Sequence, residues 1–541
     1  MLAIAIVGCE NDSAVVLDSP EAIVLGRVDT QRSLLETRFL RRHLVTKGSF
    51  YERLADHGEE IISDDDFAHL YSDGKGRPSV PPSVMIRALL CATHDHTSDR
   101  ETSRRTRVDA DWKAAMGVED DFTGIAATTF SLMRARMMAN EADSLLFEAT
   151  LKKALRAGIF KGPLTAIIDS SPVHGAGNVA DTYELIRKMM GRLARAMGEH
   201  LEAGSRTEVL GLCATKPDID WQDPAVRRAH LAELVELAAE LLGKAATSEV
   251  ASESEVAEAV ALLARVVLQD VAPGEDGPVI REGVAPDRVI SHSDPEMRHG
   301  RKSASRRFDG HKFDVMTDED SELVLGVDVR AGNAGDGEGA VPLLKDVQKT
   351  EGIEIDTLLG DMAYSDGDVR EAVEAEGTEM VAKVPPVTNG GRFPKTEFTI
   401  DSGAGTVSCP AGNTTSDARK VKDHKGRRAV AYRFDQATCA TCPLREQCTT
   451  GKGGRQIIVG RHHDRIEKAR KAQAEPDTKA LLRRRSKVER KIDHLQDLGM
   501  RHARYRGRRK TKLQALLAAT VANFKRLVVL DAFANASATA A

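Results

Sequence analysis

Two short apolar runs, each closed by an aspartate, constrain the fold of this 541-residue chain more than any other feature. The first run, residues 165–168, ends at Asp169, and the second, residues 357–360, ends at Asp361. Short apolar runs bounded by polar and small residues are typical of buried β-strands. A carboxylate at the end of such a strand lies at an edge of the sheet, where a cation can reach it. The two runs therefore predict a sheet that presents two aspartates at one edge.

The elements around these runs predict a mixed α/β fold. In chain order they are a hairpin of residues 310–317 and 323–329, a helix at 339–350, the strand that ends at Asp361, a helix at 368–376 and a strand at 379–384. This order predicts antiparallel strands first and parallel strands after, with the two aspartate-bearing strands as neighbours. It is the order of a ribonuclease-H-like core interrupted by inserts.

Residues from about 30 to 158 are predicted to be helical. Apolar positions in 31–54 recur near a period of 3.6, Pro82 stands where a helix start favours proline, and a long helix is predicted from about 128 to 156, capped by Thr128 or Thr129. A helix after Ser98 carries four arginines, namely Arg100, Arg104, Arg105 and Arg107. A cationic second helix suits a helix-turn-helix-like DNA reader, and an ordinary helical bundle fits the same pattern. A further helical region is predicted at 180–269, followed by a Gly-, Pro- and acid-rich loop at 271–287.

Composition limits the class of protein. Hydrophobic residues make up 41% and charged residues 29% of the chain, which fits a soluble globular protein of several domains. No run approaches the ~20 apolar residues of a membrane span. Seven cysteines in this length are not a disulfide framework, and the apolar start at 1–8 lacks the basic region of a signal peptide. We therefore expect a cytoplasmic protein with no membrane partner, in which residues 1–8 form an edge strand or a poorly defined start.

Basic residues crowd residues 481–510, although the formal net charge of the chain is only −5. Such a stretch predicts a polyanion partner at one face, and a solvated, salt-bridged helix is the alternative. Glu489, Asp493 and Asp497 are its only acids. A carboxylate kept inside a cationic helix indicates a metal ligand flanked by phosphate-binding cations. Arg485 lies one helical turn before Glu489.

Asp169, Asp361 and Glu489 are therefore the candidate catalytic residues and Mg²⁺ ligands. Phosphodiester cleavage needs an activated water and relief of charge on the phosphate, and two divalent cations about 4 Å apart supply both. Mg²⁺ is typically held by only a few carboxylates. Each acid also has a structural alternative, because Asp169 can cap the next segment, Asp361 can start a turn and Glu489 can pair with Arg485.

Four cysteines form a separate pattern. Cys409 precedes a basic, hairpin-like stretch, and Cys439, Cys442 and Cys448 follow it. Four thiolates suit a closed tetrahedral site, and C-x-x-C is a common half-site, so we predict a structural Zn²⁺. Free thiols and an iron–sulfur cluster are the alternatives. The other cysteines are predicted to be isolated and buried: Cys9, Cys91 and Cys213.

Four segments taken together resemble bacterial insertion-sequence transposases of the DDE class, in the subgroup with a helical N-terminal domain and a cysteine-rich insert. They are PPSVM at 81–85 with the helices after it, IDSS at 168–171, LGDMAY at 359–364, and VER at 488–490 followed by RYRG at 504–507. The set spans residues 77–527, most of the chain. The chain departs from many relatives at Ser170 and Ser171, and in lacking a tyrosine shortly before Arg485.

The resemblance implies that Asp169, Asp361 and Glu489 are the family's three catalytic acids, with Mg²⁺ or Mn²⁺ as cofactor. It implies cleavage of double-stranded DNA at the element's terminal inverted repeats and joining of the freed 3′ ends to target DNA. The expected assembly is a homodimer or larger on DNA, associated with the nucleoid. The residues predicted to contact DNA are Arg483, Arg485, Lys487, Arg490, Arg504 and Arg506. A metal nuclease that does not join, and a catalytically inactive DNA-binding regulator, are the alternative functions.

The predicted domains follow from these features. Residues 1–158 form a helical N-terminal, DNA-binding domain, and residues 159–530 form a ribonuclease-H-like catalytic domain. A helical insert at 180–287 and a small cysteine-rich insert at 386–460 interrupt the catalytic domain, and residues 531–541 form a disordered tail.

Overall fold

A six-stranded mixed sheet lies at the centre of the computed structural model, which describes residues 24–28, 42–71, 78–303 and 305–534. The strands in chain order are β1 Leu164–His174, β2 Val271–Gly274, β3 Gly277–Ile280, β4 Arg298–Arg301, β5 Arg307–Asp318, β6 Val324–Ala331, β7 Ile355–Gly360, β8 Glu379–Ala382, β9 Thr399–Asp401, β10 Thr406–Ser408, β11 Thr414–Thr415, β12 Ala418–Lys422, β13 Arg428–Arg433 and β14 Gln456–Gly460.

The α-helices surround this sheet and form most of the segments outside it. In chain order they are α1 Phe50–His57, α2 Pro82–Asp95, α3 Asp99–Val108, α4 Ala110–Met116, α5 Ala127–Ala139, α6 Leu145–Arg156, α7 Thr182–Met197, α8 Ala203–Ala214, α9 Pro224–Ala246, α10 Ser254–Asp270, α11 Ala340–Gln348, α12 Gly367–Glu374, α13 Gln436–Ala440, α14 Arg445–Cys448, α15 His463–Ala472, α16 Pro476–Arg484, α17 Ser486–Leu495 and α18 Arg508–Val529. None of these described helices is long and apolar enough to cross a membrane.

β1 is the central strand of the sheet. It pairs in parallel with β7 on one side and antiparallel with β5 on the other, and β8 extends the sheet in parallel beyond β7. The long β5 pairs along its far edge first with β4 and then with β6. The mixed α/β fold, with antiparallel and parallel halves and with β1 and β7 as neighbours, confirms the expected order of strands.

One hydrophobic core joins the described N-terminal helices to the sheet and to α18. Its fully buried members come from all three parts of the chain and include Trp112, Phe130, Ile168 and Phe524. The amide of Asn523 on α18 donates to Thr150 Oγ1 at 3.1 Å and to the Val324 carbonyl at 2.8 Å, and its oxygen accepts from the Val324 N–H at 2.8 Å. Packing therefore does not separate the described part of residues 1–158 from the sheet.

Two further segments have hydrophobic cores of their own. Helices α7 to α10 pack around buried residues that include Leu185, Leu193, Leu234 and Leu263, in the region where a helical insert is predicted. Within 386–460 two three-stranded sheets, β9 to β11 and β12 to β14, enclose a much smaller core. Its buried members are Phe398, Val407, Tyr432, Phe434 and Ile457.

The predicted helix at 128–156 is wrong as a single element, because α5 ends at Ala139 and α6 begins at Leu145. Asn140 ends α5 by donating a side-chain hydrogen bond to the Arg136 carbonyl, and Glu141 has a positive φ of 55°, which a helix cannot continue through. The cap of α5 is Ala126, not a threonine. Pro82 does occupy the start of α2, as predicted.

Other predicted boundaries also shift. β1 continues past Asp169 to His174 because β5 pairs with it along that whole stretch. The predicted loop at 271–287 contains the β2–β3 hairpin. Residues 531–534, assigned to a disordered tail, form a turn in which Ala532 and Phe533 are buried. The helix predicted over 31–54 is not continuous in its described part, because a 3₁₀ turn at Arg42–Leu44 is followed by α1, which begins only at Phe50. Residues 1–9, 31–41 and 535–541 lie outside the described residues.

Candidate active site

Asp169 and Asp361 occupy matching positions on neighbouring strands. Ile167 of β1 lies opposite Leu359 of β7, and each aspartate stands two residues beyond this pair. β7 ends at Gly360, so the β1 backbone has lost its parallel neighbour where the Asp169 side chain begins. The parallel register therefore brings both aspartates to one edge of the sheet.

Local hydrogen bonds hold both carboxylates. Asp169 Oδ1 accepts from the Ser170 N–H at 2.8 Å, and the side chain is 18% exposed. Asp361 Oδ1 accepts from the Ala363 N–H at 2.8 Å and so caps the 3₁₀ turn Met362–Ser365. The turn-starting role considered for Asp361 is thus present, and it leaves the residue half-buried at the sheet edge.

Arg485 links Glu489 to Asp169. It lies at the joint between α16 and α17, one turn before Glu489, and its Nη2 donates to Glu489 Oε1 at 2.6 Å. Its Nη1 donates to Asp169 Oδ2 at 3.2 Å. The pairing of Arg485 with Glu489 is therefore real, and the same guanidinium carries the contact across to β1.

A buried turn anchors α17 over this edge. Glu319, between β5 and β6, accepts from Lys487 Nζ at 2.6 Å and from Arg484 Nη1 at 2.9 Å. Burial alone would raise the pKa of Glu319, but these two cations hold it below its ordinary value. Both cations flank Arg485 in sequence, so their contacts fix where the Arg485 guanidinium lies.

The three acids influence one another electrostatically. The pKa of Asp169 is raised to about 6, mainly by burial and also by the negative charges of Asp361 and Glu489, although the Ser170 N–H and Arg485 oppose the shift. Three carboxylates face one guanidinium, so at neutral pH the site has an excess of two negative charges. Such a site is suited to a divalent cation.

The four predicted cysteine ligands also lie together. Cys409, Cys439, Cys442 and Cys448 are free thiols that line one cavity of about 30 Å³. Burial raises the pKa of the Cys448 thiol, and the other three sulfur atoms add to the shift. Cys91 and Cys213 are buried elsewhere, as predicted, and Cys9 lies outside the described residues.

Two family models match the chain. A transposase DDE domain matches residues 408–528, which include the four cysteines and Glu489, and a transposase domain (DUF772) matches residues 39–136. Both matches support an insertion-sequence transposase of the DDE class. No curated protein and no solved structure matches it. Neither match reaches Asp169 or Asp361, so the role of these residues depends on the geometry at the sheet edge.

Most of the cations predicted to contact DNA have acidic partners inside the transposase. Arg485 and Lys487 hold the acids described above, Arg490 pairs with Glu322 at 3.2 Å, and Arg504 pairs with Asp99 at 3.4 Å. Arg483 and Arg506 are exposed, and neither has an acidic partner among the described residues. These two are therefore the members of the set whose charge stays available to a phosphate.

A buried polar network beside Asp169 was not predicted. Ser170 Oγ donates to Asp336 Oδ1 at 2.7 Å, and Lys312 Nζ donates to the same oxygen at 2.6 Å. Asp314 of β5 lies opposite Ser170 and is fully buried. It accepts a hydrogen bond from Arg330 Nη2 at 2.7 Å. Charged residues at alternate positions of the strand predicted at 310–317, Lys312 and Asp314, were the available signal.

A second group of possible metal ligands lies on α12. Ligand atoms of Asp368, Glu371 and His462 lie within 4.8 Å of one another. The guanidinium of Arg461 contacts all three, at 2.5 Å, 3.2 Å and 2.7 Å respectively. Arg427 also contacts Asp368 at 2.8 Å. Because several cations already neutralise these acids, we interpret the group as an ion-pair network.

The raised pKa of Asp169 predicts an effect on stability. A carboxyl whose folded pKa exceeds its unfolded value lowers stability when it ionises, so the cost is absent below about pH 4 and complete above about pH 6. Asp169→Asn should therefore raise the free energy of unfolding at pH 7, measured with EDTA, by up to about 3 kcal/mol. The gain should vanish near pH 4. An equal gain from Asp356→Asn, an exposed position on β7, would contradict this explanation.

Proposed function

We propose that this transposase cuts DNA at the terminal inverted repeats of its insertion sequence and joins the freed 3′ ends to target DNA. The observation that carries the proposal is the Arg485 guanidinium between Asp169 and Glu489, at the sheet edge that also bears Asp361. Three acids from distant parts of the chain thus meet at one place, with a cation suited to phosphate beside them.

Asp169, Asp361 and Glu489 are the residues that would hold Mg²⁺ or Mn²⁺. Such a cation, when bound, would neutralise charge on the scissile phosphate and lower the pKa of the attacking water. The excess of two negative charges fits a divalent ion, and the Arg485 guanidinium marks where positive charge is stabilised. Arg485 pairs with two of these acids in the structure, and we propose that it contacts a phosphate oxygen and stabilises the charge that develops during cleavage once a metal ion is held by the acids.

The order of strands supports a ribonuclease-H-like core. Three antiparallel strands, β6, β5 and β1, are followed by the parallel strands β7 and β8. The two aspartates lie on the central strand and directly after its parallel neighbour, and the third acid comes from a helix that packs across the same edge. We propose this core for the catalytic domain, with inserts at 180–287 and 386–460.

Residues 386–460 are proposed to hold a structural Zn²⁺ through Cys409, Cys439, Cys442 and Cys448. A core cluster of five buried side chains is small for a segment of this length, and small domains of this kind usually need additional stabilisation, for example by a bound metal. Thiolates are the ligands that Zn²⁺ prefers in closed structural sites. The cavity that the four thiols line supports this proposal.

The DNA partner is proposed to contact the N-terminal helices and the exposed cations Arg483 and Arg506. The second helix of the α2–α3 pair keeps Arg100 and Arg107 exposed. Cleavage at two element ends would require at least a homodimer on DNA. These contacts are consistent with a protein that acts at the nucleoid.

The proposal is tested with purified protein, Mg²⁺ and a duplex that carries the inverted repeats flanking the gene, beside a scrambled duplex. We expect cuts at the repeat ends, and products in which the 3′ ends are joined to a supercoiled target. Cuts without joined products would indicate a metal nuclease instead. Binding without any cut, in Mg²⁺ and in Mn²⁺, would indicate a DNA-binding regulator.

The exposed cations predict how affinity depends on salt. Each cation that neutralises a phosphate releases a counterion, so Arg483→Ala with Arg506→Ala should lower the slope of log K against log salt by about 2. Lys487→Ala with Arg490→Ala removes the same number of charges from residues that pair with Glu319 and Glu322, and serves as the matched pair. Fluorescence anisotropy of a labelled end duplex at several salt concentrations measures both slopes. Equal slopes for the two double variants would contradict the proposal that Arg483 and Arg506 contact phosphates.

A further inference from the structure

We infer that segment 386–460 fixes the position of Asp361 through an ion-pair network, in which Arg427 is the central positioning residue. The inference rests on the proposed function, since it assigns a partner within the chain to one of the three acids. It concerns a segment that supplies no acid to the site itself.

Arg427 contacts both aspartates at the start of α12. Its Nη1 lies 2.8 Å from Asp366 Oδ1 and 2.8 Å from Asp368 Oδ2. Its Nε donates to Asp423 Oδ2 at 3.0 Å, and its backbone N–H donates to Asp423 Oδ1 at 2.9 Å. Asp423 belongs to the turn between β12 and β13, so it orients the guanidinium from behind.

A short capped path connects these contacts to Asp361. Asp361 caps the 3₁₀ turn Met362–Ser365, and the next residue, Asp366, caps α12 by accepting from the Asp368 N–H at 3.0 Å. Tyr364 within the turn is fully buried. Asp361 and Asp366 therefore cap the two ends of one short stretch of chain, so the position of Asp361 depends on that of Asp366.

Other residues of the segment and its C-terminal border extend the network. Lys425 Nζ lies 2.6 Å from Asp366 Oδ2, and Arg465 pairs with Glu374 at 2.9 Å. The backbones also approach closely, because a Cβ at Gly367 would meet the Cβ of His462 at 2.3 Å. Residue 367 must be glycine for α12 to sit this near to the end of β14.

The charges of this network are strongly stabilised. Hydrogen bonds from Arg427 and His462 hold the pKa of Asp368 below its ordinary value, and the bond to Asp368 raises the pKa of Arg427. Arg427 is 26% and Asp366 22% exposed, so water screens their pairing less than it would on an open surface. Such contacts restrict the turn that carries Asp361 from the side opposite the sheet.

The test is a Mn²⁺ titration of the full chain, with free Mn²⁺ followed by EPR. Asp169→Asn is introduced into the wild type and into Arg427→Ala, and each protein is titrated with and without it. The difference within each pair is the Mn²⁺ that depends on Asp169, as opposed to Mn²⁺ bound at α12 or elsewhere. Arg427→Ala should weaken the Asp169-dependent site about 10- to 100-fold, as loss of a group that supports a metal ligand commonly does. Arg427→Lys keeps the positive charge but lacks the separate Nε that contacts Asp423, so it should restore part of the affinity.

Matched variants separate positioning from general effects. Arg428→Ala removes a neighbouring exposed cation that has no ionic partner among the described residues, and it should leave the Mn²⁺ affinity unchanged. Zinc content and melting temperature report whether each variant is folded. If Arg427→Ala loses its fold, Lys425→Ala, at a 53% exposed position, should still show a smaller shift in the same direction.

The outcomes distinguish the inference from the proposed function. Absence of any Asp169-dependent Mn²⁺ in wild type would overturn the proposed function. An Asp169-dependent site that binds equally well in wild type and in folded Arg427→Ala would overturn the inference alone, as would an equal loss in Arg428→Ala.

Discussion

Replacing Asp361 with asparagine is expected to abolish DNA cleavage while leaving DNA binding largely intact. Asparagine can still accept the hydrogen bond from the Ala363 N–H, so the turn after β7 keeps its cap. It lacks the negative charge that a divalent ion requires. A metal ion contributes several kcal/mol to stabilising the transition state, so the loss of cleavage rate should be about a thousandfold or more.

Asp169→Asn is expected to lose cleavage to the same extent, and at neutral pH it should do so in a more stable protein. Single-turnover cleavage of a pre-bound end duplex, with affinity measured separately, gives both quantities. Asp356→Asn, on β7 but exposed away from the site, is the control and should cleave normally. Near wild-type nicking by either site variant in Mg²⁺ would show that the residue is not a metal ligand.

Loss of the proposed zinc should have the second-largest effect. The purified protein should contain about one Zn²⁺ per chain, and its removal should unfold segment 386–460, because thiolate coordination of structural zinc is worth about 10 kcal/mol or more. Cys442→Ser should lose the metal. Hydrogen exchange should then rise throughout β9 to β14, and protease should cut there first.

Cys213→Ser is the matched control for this experiment. The Cys213 thiol donates to the Arg187 carbonyl at 2.6 Å, a contact that a serine hydroxyl can also make, and it lies far from the cavity in the core of α7 to α10. This variant should keep its zinc. A wild-type protein that holds neither zinc nor iron, with all four thiols alkylated while folded, would exclude the metal.

The meeting of Asp169 with Asp361 could be predicted because it depends on strand order and parallel register, which apolar runs and turn residues encode locally. The break between α5 and α6 could not, because Asn140 and Glu141 stop the helix by a side-chain bond and a positive φ that periodicity does not record. The Arg485–Glu489 pair was foreseen from helical spacing. Its contact to Asp169 joins residues more than 300 positions apart and has no local signal.

The same absence of a local signal explains why the DNA-contacting cations of the basic stretch could not be identified from the sequence. A run of cations predicts a polyanion partner only if the chain does not neutralise it, and here Glu319, Glu322 and Asp99 come from elements far away in sequence. The sequence alone therefore gave no way to tell Lys487 and Arg490 from Arg483. The four cysteines, in contrast, were predicted as a group from their ligand chemistry and spacing, and all four line one cavity in the structure.

The position of α18 in the shared core has a consequence for synthesis. Nearly every inward side chain of α18 packs against helices and strands made hundreds of residues earlier, and Asn523 ties Thr150 to Val324. Until α18 has left the ribosome, the apolar faces of α2, α6 and β6 that pack against it lack this partner. Helices α7 to α10, with their own core, can fold during translation, whereas the central sheet must wait until α18 has been made. A premature stop codon before α18 should therefore give a chain that is degraded or aggregates rather than a shortened protein that competes for DNA.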